Sequence, residues 1–144
     1  MTYEHFNPNP KARVRKDGTP RKWHRGDCTT RALAKALDLS WMEAFKLQCE
    51  KAMEICDETD SKDVYEAILA DNGFVKGVIS KEYIKHNHQR PTVSKLVDDL
   101  FENKGKIKVV INCTHHLVAA VGNVLYDVWD SGDEKVWSFW YKKC

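Results

Sequence analysis

The sequence predicts an α+β fold on three observations. Helical apolar spacing dominates as far as Gly105, short segments rich in Val, Trp and Tyr follow it, and turn residues separate the last three of those segments. Residues 1–22 stand apart. They hold two turn signatures, Asn7-Pro8-Asn9-Pro10 and Asp17-Gly18-Thr19-Pro20, with no apolar periodicity, so they read as a basic extended arm ahead of one domain over 23–144.

The first helix is expected to start at Asp27, a good N-cap residue, and to carry Arg31, Ala32, Leu33, Ala36 and Leu37. Cys28 then falls in its first turn. Ser40 with Glu43 three residues later forms a capping box for a second helix, whose stripe Phe45, Cys49, Ala52 and Cys56 predicts core cysteines. A third helix is expected from Asp60-Ser61 to Asn72-Gly73, and a fourth from Pro91-Thr92 to Gly105 with Val93, Leu96, Val97, Leu100 and Phe101 on one face. Residues 74–90 fit a crossover loop or a short strand. Four strands are expected over 107–112, 115–121, 124–130 and 136–141, with turns at Gly122-Asn123 and Ser131-Gly132-Asp133.

A chain of 144 residues is long enough to bury a sizeable core, and 42% hydrophobic with 31% charged residues is the balance of an ordinary globular protein. The formal charge of +2 names no partner, but Lys11, Arg13, Arg15, Lys16, Arg21, Lys22 and Arg25 crowd one stretch. That stretch reads as a solvated tail, with nucleic-acid phosphates as the less favoured partner. No apolar run approaches the ~20 residues of a membrane span and the N-terminus lacks a signal-peptide core, so a cytoplasmic protein without membrane contact is expected. Five cysteines without framework spacing imply reduced thiols.

A thiol attacks as its thiolate, and a helix N-terminus favours negative charge through its unpaired N–H groups and its dipole. Cys28 has that position. His116, on a strand more than eighty residues downstream, is the candidate base, and a third polar group is needed to orient it. Strand register selects that group. A two-residue loop at Gly122-Asn123 pairs residue 121 with 124 and puts Asp127 on the His116 face, whereas a three-residue loop puts Asp130 there. Spacing leaves both open. A zinc site joining Cys113, His115 or His116 with His24 and Cys28 is the weaker alternative, because neither half has the tight spacing of structural zinc ligands.

The stretch His116-Leu-Val-Ala-Ala-Val-Gly122 resembles the strand carrying the catalytic histidine of papain-like cysteine proteases, and Val128-Trp-Asp130-Ser-Gly132 resembles the strand that follows it. Gly26-Asp27-Cys28-Thr29 is similar to the nucleophile segment of the same superfamily, most closely in NlpC-type peptidases and small phage or prophage papain-like proteins. The resemblance implies N-terminal helices packed on a C-terminal antiparallel sheet, with Cys28 as nucleophile, His116 as base and Asp130 as its orienting acid. It implies a cysteine hydrolase or acyltransferase of phage or bacterial type, acting on an amide, isopeptide or thioester bond of a peptide or protein. No cofactor is implied. Lys22 stands where the superfamily commonly has an oxyanion-binding glutamine, which leaves donation to the Cys28 N–H with His24 or Arg25, and Trp129 is a candidate substrate contact. A shell without efficient turnover, gripping a protein or nucleic acid through the arm, is the alternative. Oligomeric state is not encoded legibly.

Overall fold

The computed structural model describes residues 1–11, 15–19 and 26–144. Among them the chain forms five helices and six strands, in the order β1 (Thr2–His5), α1 (Cys28–Leu37), α2 (Trp41–Ile55), α3 (Lys62–Asp71), β2 (Val75–Gly77), α4 (Lys81–Asn87), α5 (Val93–Lys104), β3 (Ile107–Cys113), β4 (His116–Val121), β5 (Val124–Asp127) and β6 (Val136–Lys143). None of these helices is long and apolar enough to cross a membrane. Arg13, Arg21, Lys22, His24 and Arg25 lie outside the described residues.

Four helix starts are set by hydroxyl caps, each satisfying a backbone N–H that the helix leaves unpaired. Ser40 accepts from Glu43 N at 3.1 Å, Ser61 from Val64 N at 3.2 Å, Ser80 from Tyr83 N at 3.0 Å and Thr92 from Lys95 N at 3.2 Å. The start of α1 differs. Asp27 is the N-cap residue as expected, but its side chain makes no capping bond, because its carboxylate accepts hydrogen bonds from Asn9 Nδ2 at 3.0 Å, from Trp41 Nε1 at 3.0 Å and from the Arg31 guanidinium.

On α2 the buried line is Ala44, Gln48 and Ala52, not the line through Phe45, Cys49 and Cys56. Gln48 is 1% exposed, accepts from Thr30 Oγ1 at 2.7 Å and donates to Thr59 O at 2.8 Å. A paired amide therefore occupies the core position that apolar counting gives to a cysteine. Cys56 is exposed as the left-handed residue that ends the helix, with φ 56°.

The sheet runs β1-β5-β4-β3-β6-β2. It is mixed rather than antiparallel throughout, since β1 pairs with β5 in parallel, Thr2 opposite Val124 through His5 opposite Asp127. Residues 2–5, expected as part of a free arm, are thus an edge strand. Central strand β3 is buried on both faces: Val110 belongs to a core shared with α1, α2 and α3, while Val109 and Ile111 belong to a second core with α5. Such a strand reads as a continuous apolar run.

In the stretch the sequence left open, β2 lies antiparallel against β6 and Gly77 faces Phe139. A Cβ on Gly77 would stand 2.2 Å from the Phe139 ring, which is 7% exposed in the α5-side core. Gly77→Ala is expected to destabilise the fold by about 1–3 kcal/mol through overpacking, read as a lower urea midpoint at unchanged m-value.

Candidate active site

The hairpin between β4 and β5 decides which acid meets the histidine. Val121 pairs with Val124 across Gly122-Asn123, and of those two loop residues only Gly122 has a positive φ, 61°, the pattern of a type II′ turn. In this register residues 116, 118 and 127 share a face. Asp127 Oδ2 lies 2.5 Å from His116 Nε2. Strand β5 ends there, so Asp130 falls beyond it, where its Oδ1 accepts from Gly132 N at 3.0 Å in the turn. The carboxylate bonded to the His116 ring is therefore that of Asp127, and not that of Asp130, which was expected there.

Asp127 is 3% exposed and its carboxylate is surrounded by donors. Besides His116, Oδ2 accepts from Ser131 Oγ at 2.8 Å, Oδ1 accepts from Val128 N at 2.8 Å, and the Arg31 guanidinium stands 3.5 Å from Oδ1. Burial pushes this carboxyl up, but the His116 bond and charge, then Ser131 and Val128, outweigh it and hold the carboxyl below its ordinary value.

Arg31 is a component that apolar patterning passes over as an ordinary helix residue. It is 6% exposed and bridges Asp27 and Asp127, tying the first turn of α1 to the end of β5. Its Nε is the one buried side-chain polar atom without a partner among the described residues. The i, i+4 spacing of Asp27 and Arg31 was the available signal.

With Nε2 taken by Asp127, Nδ1 of His116 is the nitrogen left for Cys28, the first residue of α1. Burial pushes the Cys28 thiol up, but a hydrogen bond from His116, one from the Leu117 backbone N–H, and the charges of His116 and Arg31 bring it below its ordinary 9.0. The Leu117 donor follows from the ladder. Cys113 and His116 close the β3–β4 turn, so alternation points the Leu117 N–H away from β3 toward β5. In the β4–β5 register the residue that would face it is Val128, beyond the end of β5, whose own N–H is turned to the Asp127 carboxylate. The freed Leu117 donor faces sulfur instead.

His116 moves the opposite way. Burial pushes it down, but bonds to Asp127 and Cys28 and the charges of both raise it to about 9. The two shifts belong to the pair, and each favours the charged form of its group, the thiolate of Cys28 and the imidazolium of His116. Trp129, 39% exposed, stands tilted beside the imidazole with ring centroids 5.3 Å apart.

Cys113 is buried beneath the same strand pair, donates to His116 O at 3.4 Å, and is pushed to about 12 by burial and then by the charges of Glu134, Asp127 and Cys28. It is a core thiol. Among the described residues no three His, Cys, Asp or Glu side chains are grouped to hold a metal, and His24 of the zinc alternative lies outside them, as does Arg25. His115 is in the turn, with φ 52°, rather than on the strand. Its side chain lines an open cleft of about 280 Å³ together with Cys28, Thr29, Asp60, Lys62, Tyr65, Asn112, His116 and Leu117.

No family model, curated protein or solved structure matches the chain. The site itself combines a half-buried cysteine at a helix start, a histidine between it and a buried carboxylate, and a cleft lined by that cysteine.

Proposed function

We propose that this chain is a papain-like cysteine hydrolase or acyltransferase acting on an amide, isopeptide or thioester bond. The observation that carries the reading is the line from Asp127 through both nitrogens of His116 to Cys28 at the head of α1, with the histidine strand and the acid strand following in that chain order. In this reading the Cys28 thiolate attacks the carbonyl carbon and the C=O electron pair moves onto oxygen. That oxyanion is met by the α1 N-terminus, whose N–H groups the Asp27 side chain leaves uncapped. As the tetrahedral centre collapses, the bond to the leaving nitrogen or sulfur breaks and His116 Nδ1 gives that atom its proton. Water then attacks the thioester, its proton returns to His116, and the Cys28 thiolate leaves; an amine in place of water gives transfer.

Asp127 holds the imidazole with Nε2–H directed at its carboxylate and favours the charged ring. The polar rim of the cleft, with Asp60, Lys62, Asn112 and His115, favours a polar chain over a lipid-like acyl group. The test uses p-nitrophenyl acetate. Release of about one equivalent of nitrophenolate in a burst, with acetyl found on Cys28 by peptide mapping and none after His116→Ala, is the expected result. Acetylation spread equally over Cys28, Cys56 and Cys144 contradicts the proposal.

A further inference from the structure

Acyl transfer at Cys28 builds an oxyanion, and each preorganised donor that meets it lowers the barrier, so the groups lining the cleft are candidates beside the helix N-terminus. Tyr65, on α3, lines that cleft together with Cys28. Its ring is locked in the core formed with Leu33, Leu69 and Leu117, and the residue is only 6% exposed. Its hydroxyl makes no hydrogen bond among the described residues. Since the only buried polar side-chain atom lacking a partner there is Arg31 Nε, the Tyr65 hydroxyl is open to the cleft rather than sealed. A core-fixed ring whose hydroxyl opens on the cleft that Cys28 also lines is a preorganised donor.

The geometry points to Tyr65 as the second oxyanion donor, a catalytic residue whose hydroxyl donates to the carbonyl oxygen as Cys28 attacks. The inference rests on the proposed acyl chemistry. Burial, then the charges of Glu66 and Cys28, push the Tyr65 phenol well above its ordinary value, so it stays protonated and able to donate wherever Cys28 is a thiolate. During the step the Tyr65 proton does not leave oxygen. The Sγ–C bond forms, the displaced π pair becomes the oxyanion that the O–H stabilises, and collapse expels the leaving group.

Two reactions at Cys28 separate this role from a packing role. Acylation by p-nitrophenyl acetate passes through an oxyanion, whereas alkylation by iodoacetamide displaces iodide directly and makes none. Tyr65→Phe keeps the ring and removes only the O–H. It is expected to slow the acylation burst roughly a hundredfold while leaving the Cys28 alkylation rate and its pH profile within about twofold. Unchanged acylation, or acylation and alkylation falling together, overturns the assignment. A wild-type protein that alkylates at Cys28 but gives no Cys28-dependent acylation instead sinks the acyl chemistry itself, and the assignment with it.

Discussion

Asp127→Ala slows the acylation of Cys28 by at least about 10²-fold, and Asp130→Ala leaves it within about twofold. The difference follows from geometry. Asp127 Oδ2 is 2.5 Å from His116 Nε2, whereas Asp130 serves the backbone of a turn. Removing Asp127 frees the imidazole to rotate and deletes the leading influence that raises it. The sign on pH is set by that: with the Asp127 bond and charge gone, the deprotonation that wild-type His116 undergoes near 9 moves down toward 6.5. The alkaline limb of the acylation profile therefore shifts to lower pH. A stopped-flow burst series across pH on both variants, each first shown to be folded by circular dichroism, reads both effects. Equal losses from the two substitutions contradict the register-based assignment.

Arg31→Met costs about 3 kcal/mol of folding free energy, because it removes the buried cation that faces Asp27 and Asp127. Methionine fills much of the volume, so the loss reports charge rather than a cavity. Arg31→Lys recovers part of it, since a point charge cannot address two carboxylates as a guanidinium fork does. Asp127 has its pKa depressed in the folded state, so its own contribution is present above 3.8 and is lost as pH falls through the lower folded value. Urea unfolding of the three proteins near neutral pH measures the difference. A change under about 0.5 kcal/mol for Arg31→Met places Arg31 among ordinary surface residues.

Much of the fold was legible because local chemistry and burial agree. The hydroxyl caps at Ser40, Ser61 and Thr92 each precede a helical apolar face, and Val109 to Ile111 form an apolar run between two cores. Where side chains serve a distant partner, patterning misleads. Asp27 stands at the N-cap of α1 but its side chain gathers Asn9, Arg31 and Trp41, and Gln48 looks like a surface residue and instead pairs with Thr30 and the Thr59 backbone. Strand β1 was missed because four residues at a sheet edge, largely exposed, carry no buried alternation. The places of Cys28 at the head of α1 and His116 at the start of β4 were legible from the pattern of their elements. The aspartate paired with His116 was not, since Asp127 and Asp130 differ only by a turn type, and the turn is fixed by which of Gly122 and Asn123 takes positive φ.

The most direct test of the paired thiolate is the rate of iodoacetamide labelling at each of the five cysteines as pH is raised. Labelling follows the thiolate fraction and access to it. Cys28 is expected to label fastest and to reach half its maximal rate below 9.0, the ordinary thiol value, with His116→Ala returning it upward. Buried Cys113, pushed to about 12, is expected to label last. A Cys28 that labels no sooner than exposed Cys56, and is indifferent to His116→Ala, contradicts the account.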